Sequence, residues 1–188
     1  MERGAGGQER ERLFIGVPLT DEARHAIDKS LPKKLPGKPV PVENWHFTLR
    51  FLGSTAAEAR DQIIQRLKFA GCGEAFTVRF SELGAFPSAG RARVLWLGID
   101  EGVERMKQLA AIAEASARSA GFPAEGREFT PHLTLSRIDP PASVKTLLTS
   151  KPRFGTRMTV DSLILYRSRL GGGPARYEEV MRINLSKS

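Results

Sequence analysis

A chain of 188 residues, 40% hydrophobic and 27% charged, is long enough for one domain or two small lobes with a shared core, and too apolar to remain unfolded. Lys+Arg number 29 against 21 Asp+Glu, a net charge of +8 carried mostly by arginine, which favours an anionic, phosphorylated partner. The one cysteine, Cys72, excludes an internal disulfide and a cysteine-rich zinc site, and no apolar run reaches the roughly 18 residues of a membrane helix.

Residues 1–11, charged and glycine-containing without an apolar stretch, read as a disordered tail rather than a signal peptide, and a cytoplasmic protein is expected. Residues 12–188 are then the folded unit. The run Arg12–Leu19 is a strand ended by proline, and Thr20 caps a helix over 21–31. Four prolines between 32 and 41 open an exposed basic loop holding Lys33, Lys34 and Lys38. Trp45–Leu52 is a second strand, and 56–69 an amphipathic helix stopped by Gly71. Two strands, Phe76–Phe86 and Arg93–Ile99, flank a turn at Pro87–Gly90. The helix over 102–120 has the clearest apolar spacing (Val103, Met106, Leu109, Ala110, Ala113, Ala117). A strand over Thr130–Ile138, a short helix over 142–150, and two strands, Met158–Arg167 and Tyr177–Leu185, complete the chain. The Gly171–Gly173 run between the last two lacks the Lys-Ser/Thr ending of a phosphate loop and reads as a hairpin turn. Strands, hairpins and helices in this order indicate an α+β architecture rather than a parallel sheet.

The informative feature is a doubled motif. His46-Phe47-Thr48-Leu49 and His132-Leu133-Thr134-Leu135 repeat His-x-Thr-Leu 86 positions apart and use two of the three histidines in the chain. Half-chain spacing suggests two similar lobes, each giving one central strand. Alternation puts His46, Thr48 and Arg50 on one face and Phe47, Leu49 and Phe51 on the other, with His132, Thr134 and Ser136 matching the first set. The apolar faces belong to the core, so the His/Thr faces line a polar cleft. Two imidazoles that titrate near neutrality supply a base for water and an acid for a leaving oxygen, and two hydroxyls can donate to phosphate oxygens. That set suits phosphodiester hydrolysis without metal, with a strained 2′,3′-cyclic phosphate a suitable substrate. No Asp, Glu or Cys accompanies either motif at metal-ligand spacing, so neither a metal nor another cofactor is expected. His25 stands outside the motifs and reads as a surface residue.

With these segments the chain resembles the 2H phosphoesterase superfamily, and within it the RNA 2′,3′-cyclic phosphodiesterases, also called 2′–5′ RNA ligases. The similarity is carried by Trp45–Gly53, Gly84–Pro87, Val94–Gly98 and Phe129–Arg137, together with Arg12–Ile15, Leu165–Ser168 and Tyr177. It implies a bilobal α+β fold with two pseudo-symmetric lobes, each an antiparallel sheet flanked by helices, and a central cleft. It also implies hydrolysis of a terminal 2′,3′-cyclic phosphate to a 2′-phosphate, with His46 as proton donor, His132 as proton acceptor, and Thr48 and Thr134 holding the phosphate. The motifs by themselves do not say which histidine does which. Arg137 and Arg50 are the candidate phosphate ligands, although strict alternation would turn Arg137 away from His132 unless a bulge near Ser136 re-aims it. Phe86 and Tyr177 are candidates for the cleft rim. The expected partners are RNA ends or small oligonucleotides bearing the cyclic phosphate, met by a monomer. Ligation in the reverse direction, and RNA binding without catalysis, are the competing functions. Residues 127–188 hold 11 Lys+Arg against 5 Asp+Glu, an excess expected to surround the RNA end on one lobe.

Overall fold

The structure, a computed structural model, describes residues 10–150 and 154–187. Residues 1–9 of the expected tail lie outside them. Arg10 and Glu11 do not: they open strand β1 (Arg10–Pro18), paired with Ala56 and Thr55, and Glu11 makes ion pairs with Arg60 and Arg167.

After β1 come α1 (Asp21–Ser30), the two-residue β2 (Lys38–Pro39), a 3-10 turn at Val42–Asn44, β3 (His46–Ala56) and α2 (Ala57–Phe69). Strands β4 (Phe76–Phe86) and β5 (Ala92–Glu101) follow, then α3 (Val103–Ser119), β6 (His132–Ala142), α4 (Lys145–Thr149), β7 (Arg157–Val160), β8 (Ser162–Gly171) and β9 (Gly173–Asn184). Helix α1 starts where expected, because the Thr20 hydroxyl accepts from the Ala23 amide at 3.2 Å. Two further differences from the sequence expectation bear on the sheet. The segment expected as one strand over Met158–Arg167 is broken at Asp161 into β7 and β8, which serve different parts of the sheet. Strand β6 continues through Pro140 and Pro141, so only a five-residue helix remains of the one expected at 142–150.

The strands form one sheet in the order β7-β4-β5-β6-β3-β1-β8-β9, with β2 also on β6. Every named pairing in it is antiparallel. It divides into two halves, β7-β4-β5-β6 and β3-β1-β8-β9, joined at the motif strands through the single pair Phe47↔Leu133. The expected two lobes are thus two halves of a continuous sheet. The chain builds β1 and β3 of one half, with β2 of the other between them, then β4 to β7 of that other half, and returns with β8 and β9.

One face of the sheet is covered. Phe47, Leu49, Leu133 and Leu135 of the motif strands are buried there with Ile63 and Leu67 of α2 and Met106, Leu109 and Ala113 of α3, and burial of such side chains contributes about 1.5–3 kcal/mol each. The opposite face carries the half-buried His46, Thr48, His132 and Thr134. No helix among the described residues is long and apolar enough to cross a membrane.

Candidate active site

Both motif strands contain the same irregularity. Gly16 pairs with Thr48 but Ile15 with Arg50, so Leu49 is an extra residue in β3; Trp96 pairs with Thr134 but Leu95 with Ser136, so Leu135 is extra in β6. A bulge of one residue reverses the alternation beyond it. In β6 it buries Ser136 and brings the exposed Arg137 to the His/Thr face, the re-aiming that this residue required.

In β3 the bulge has the opposite consequence for the candidate ligand. Arg50, expected beside His46, is buried on the helix side. There its guanidinium lies 2.6 Å from Glu114, as an ion pair whose Nε–H is not aligned on the oxygen. It also donates to the Pro123 carbonyl at 2.6 Å and the Phe51 carbonyl at 2.8 Å, and Glu125 stands 3.7 Å away. Arg50 fastens the loop after α3, as Ser136 does the other loop by donating to the Pro36 carbonyl. Phe51, expected in the core, emerges 45% exposed on the open face, where its ring lies 5.6 Å from that of Phe14.

The two imidazoles are held alike. His46 Nδ1 lies 2.7 Å from the Asn44 carbonyl, and His132 Nδ1 lies 2.7 Å from the Thr130 carbonyl. A carbonyl only accepts, so in each ring Nδ1 carries the proton and donates it, leaving Nε2 with the lone pair. They differ at Nε2. That of His46 is 2.9 Å from Thr48 Oγ1, so in the neutral ring the hydroxyl donates to it. That of His132 makes no hydrogen bond to a described residue and keeps its lone pair available.

Aromatic walls orient both rings. Phe86 meets His132 edge-on at 5.1 Å, and Trp96 lies 6.1 Å from it. Phe14, Tyr166 and Tyr177 surround His46 at 4.6, 6.0 and 5.2 Å, Tyr177 at a right angle. The two rim candidates therefore each touch one histidine. Phe14, Trp96 and Tyr166 lie in segments that carry the family resemblance, but nothing in those segments marked them as neighbours of the histidines. Glycines permit the close packing: a Cβ on Gly84 would lie 2.1 Å from Trp96 Cζ2, and one on Gly16 2.8 Å from the Phe47 carbonyl. Asn44 was also hidden from sequence reasoning. Its backbone carbonyl holds His46, and its side-chain amide donates at 2.7 Å to the Ala175 carbonyl of β9, a partner 131 residues away that local pattern cannot reveal.

Burial pushes the His46 imidazole down to about 4, with the Arg137 and His132 charges acting in the same direction against the Asn44 hydrogen bond. His132 is also lowered, again by burial first and by Arg137. Arg137 is thus electrostatically coupled to both histidines, while no described acid forms an ion pair with it. Burial raises the Tyr166 phenol to about 12, so it stays protonated and serves neither as base nor as anion. Among the described residues no cluster of three or more His, Cys, Asp or Glu could hold a metal ion.

The chain belongs to the LigT-like phosphoesterase family, whose model matches residues 18–96 and 97–175. The two matched stretches meet inside β5 and so do not coincide with the halves of the sheet. An RNA 2′,3′-cyclic phosphodiesterase of Aquifex aeolicus is 35% identical over 132 residues, 68% of this chain and 70% of that protein. That of Escherichia coli is 30% identical over 185 residues, 95% and 99% of the two chains. The crystal structure of Escherichia coli LigT complexed with 3′-AMP superposes with a TM-score of 0.75 at 30% identity, covering 94% of this chain and 99% of that one. A crystal structure of a Thermus thermophilus protein gives 0.78 at 27% identity, covering 94% and 98%.

Proposed function

We propose that this protein hydrolyses the 2′,3′-cyclic phosphate at RNA ends to a 2′-phosphate without a metal ion. The observation that carries the reading is the arrangement of the two imidazoles, each with Nδ1 fixed on a carbonyl and Nε2 left for the cleft, beside an arginine that no described acid neutralises. Relatives matching most of the chain bear the name of this activity.

His132, with its Nε2 lone pair uncommitted, accepts a proton from water as the oxygen attacks phosphorus. The bond from phosphorus to O3′ breaks, and His46 Nε2–H delivers a proton to the leaving O3′. The products are a 2′-phosphate and a free 3′-hydroxyl, and proton exchange with solvent restores the two rings. The stronger depression of His46 suits the donor, because a lower pKa makes the better acid once protonated. The anionic substrate supplies the missing stabilisation: it offsets Arg137 and raises both imidazoles toward neutrality. Thr48 turns its hydroxyl from His46 to a non-bridging oxygen, Thr134 donates to the other, and Arg137 balances the charge that builds on them. Phe86 and Tyr177 keep the rings upright at the rim of the cleft.

The reading includes a cytoplasmic monomer. The test is to incubate an oligoribonucleotide ending in 2′,3′-cyclic phosphate with the protein and follow phosphorus NMR. A 2′-phosphomonoester is expected, at a rate unchanged by EDTA. A 3′-phosphomonoester, or activity lost to EDTA and restored by a divalent ion, contradicts the reading.

A further inference from the structure

The basic loop between α1 and β3 has no part in the chemistry above, yet it is fastened to the strand that carries Arg137. Val40 N donates to the Leu135 carbonyl at 2.9 Å, Ser136 donates to the Pro36 carbonyl, and Trp45 Nε1 donates to the Val40 carbonyl at 3.2 Å. Gly37 sits at φ +75° with its missing Cβ only 2.3 Å from the Arg137 carbonyl, so any other residue there would push the loop off the strand. Held this way, Lys38 pairs directly with Arg137 across β2 and β6.

Residues directly opposite in an antiparallel pair project from the same face, about 5 Å apart in strand spacing. Lys38 therefore shares the face of Arg137, which is the face of His132 and Thr134. Both side chains are exposed, and neither has an acidic partner among the described residues. The matching bulge in the other motif strand places Phe51, not a cation, at the position that corresponds to Arg137.

We propose that Lys38, beside Arg137, forms a second phosphate subsite that takes the internucleotide phosphate next to the terminal cyclic phosphate, making the enzyme selective for an RNA end over a cyclic mononucleotide. The proposal rests on the cyclic-phosphate reading above.

The experiment compares kcat/KM for cytidine 2′,3′-cyclic phosphate and for a dinucleotide ending in the same group, using the full chain and its Lys38→Gln and Lys38→Arg variants. The unsubstituted protein is expected to prefer the dinucleotide. Lys38→Gln should reduce that preference by roughly tenfold, the size of one charge-assisted contact, and Lys38→Arg should retain it. For the dinucleotide, the slope of log kcat/KM against log salt should flatten by about 0.7 in Lys38→Gln, one phosphate contact to a single strand. An unchanged preference and slope would overturn the subsite, and so would an equal loss on both substrates, which would place Lys38 at the reacting phosphate or in the folding of the loop. If the unsubstituted protein turns over neither substrate, the reaction itself fails. The subsite is then decided by affinity for the dinucleotide and mononucleotide 2′-phosphates: a preference weakened in Lys38→Gln supports it, and one left intact overturns it.

Discussion

Asn44 holds His46 through its backbone and β9 through its side chain. Removing the amide in Asn44→Ala cuts the 3-10 turn loose from β9 at a cost of about 0.5–1.5 kcal/mol of stability. It should also relax the constraint on His46 Nδ1. The expected result is a drop in kcat larger than any rise in KM, with the nitrogen NMR shifts of His46 moving toward a mixture of tautomers while those of His132 stay fixed. Unchanged His46 shifts would reduce Asn44 to a structural tie. The sequence showed both histidines and both threonines because a short motif was repeated. It gave no access to Asn44, because the significance of that residue lies in a contact across the whole chain.

At the level of single elements, the two bulges decide which arginine faces the cleft. Strict alternation predicts Arg50 in and Arg137 out, and one extra leucine in each motif strand reverses both assignments. Bulges of this kind leave no mark in a pattern of apolar and polar residues, since Leu49 and Leu135 are buried as alternation requires. The reversal makes Arg50 and Arg137 opposites in experiment. Arg50→Met leaves Glu114, Glu125 and the Pro123 carbonyl without their shared partner. Because those carboxylates keep some solvent, the cost should be about 2 kcal/mol rather than that of a fully buried charge. Thermal unfolding should show this as a lower Tm, with kcat per folded molecule little altered. Arg137→Met should do the reverse, sparing Tm and lowering kcat/KM. A strong loss of turnover in folded Arg50→Met would return that residue to the site. The break at Asp161 was equally illegible: β7 and β8 both have strand composition, and only the sheet order shows that they belong to different halves.

Across the whole molecule, charge is organised differently from what composition suggested. The basic excess of residues 127–188 does not encircle one lobe. The described ones are divided between both halves of the sheet, and Arg157, Arg167, Arg169 and Arg182 are paired with Glu101, Glu11, Glu178 and Glu179. What remains unneutralised at the cleft is local, centred on Arg137 and Lys38. The buried imidazoles have a global consequence as well. With its imidazole pushed down to about 4, His46 stays mostly neutral in the folded protein over a range in which the unfolded chain, at the ordinary 6.5, already carries the proton. Between those values the unfolded state carries the extra proton, so stability falls as pH falls, by about 1.4 kcal/mol per pH unit at most. His132 acts in the same direction. Denaturant titrations at pH 7 and pH 5 should show this loss, and His46→Asn should reduce it; an unchanged pH dependence in the variant would mean that His46 is not desolvated in the folded protein.

The division of labour between the histidines is tested most directly by single turnover of an oligoribonucleotide ending in 2′,3′-cyclic phosphate with the unsubstituted protein, His46→Ala and His132→Ala, each first shown to be folded by circular dichroism. Each substitution should slow hydrolysis by about 10²–10⁴-fold. A substrate whose O3′ is replaced by sulfur, a leaving group that needs no proton, should restore much of the rate to His46→Ala and little to His132→Ala. Undiminished hydrolysis in either folded variant, or rescue of His132→Ala instead of His46→Ala, would contradict the account.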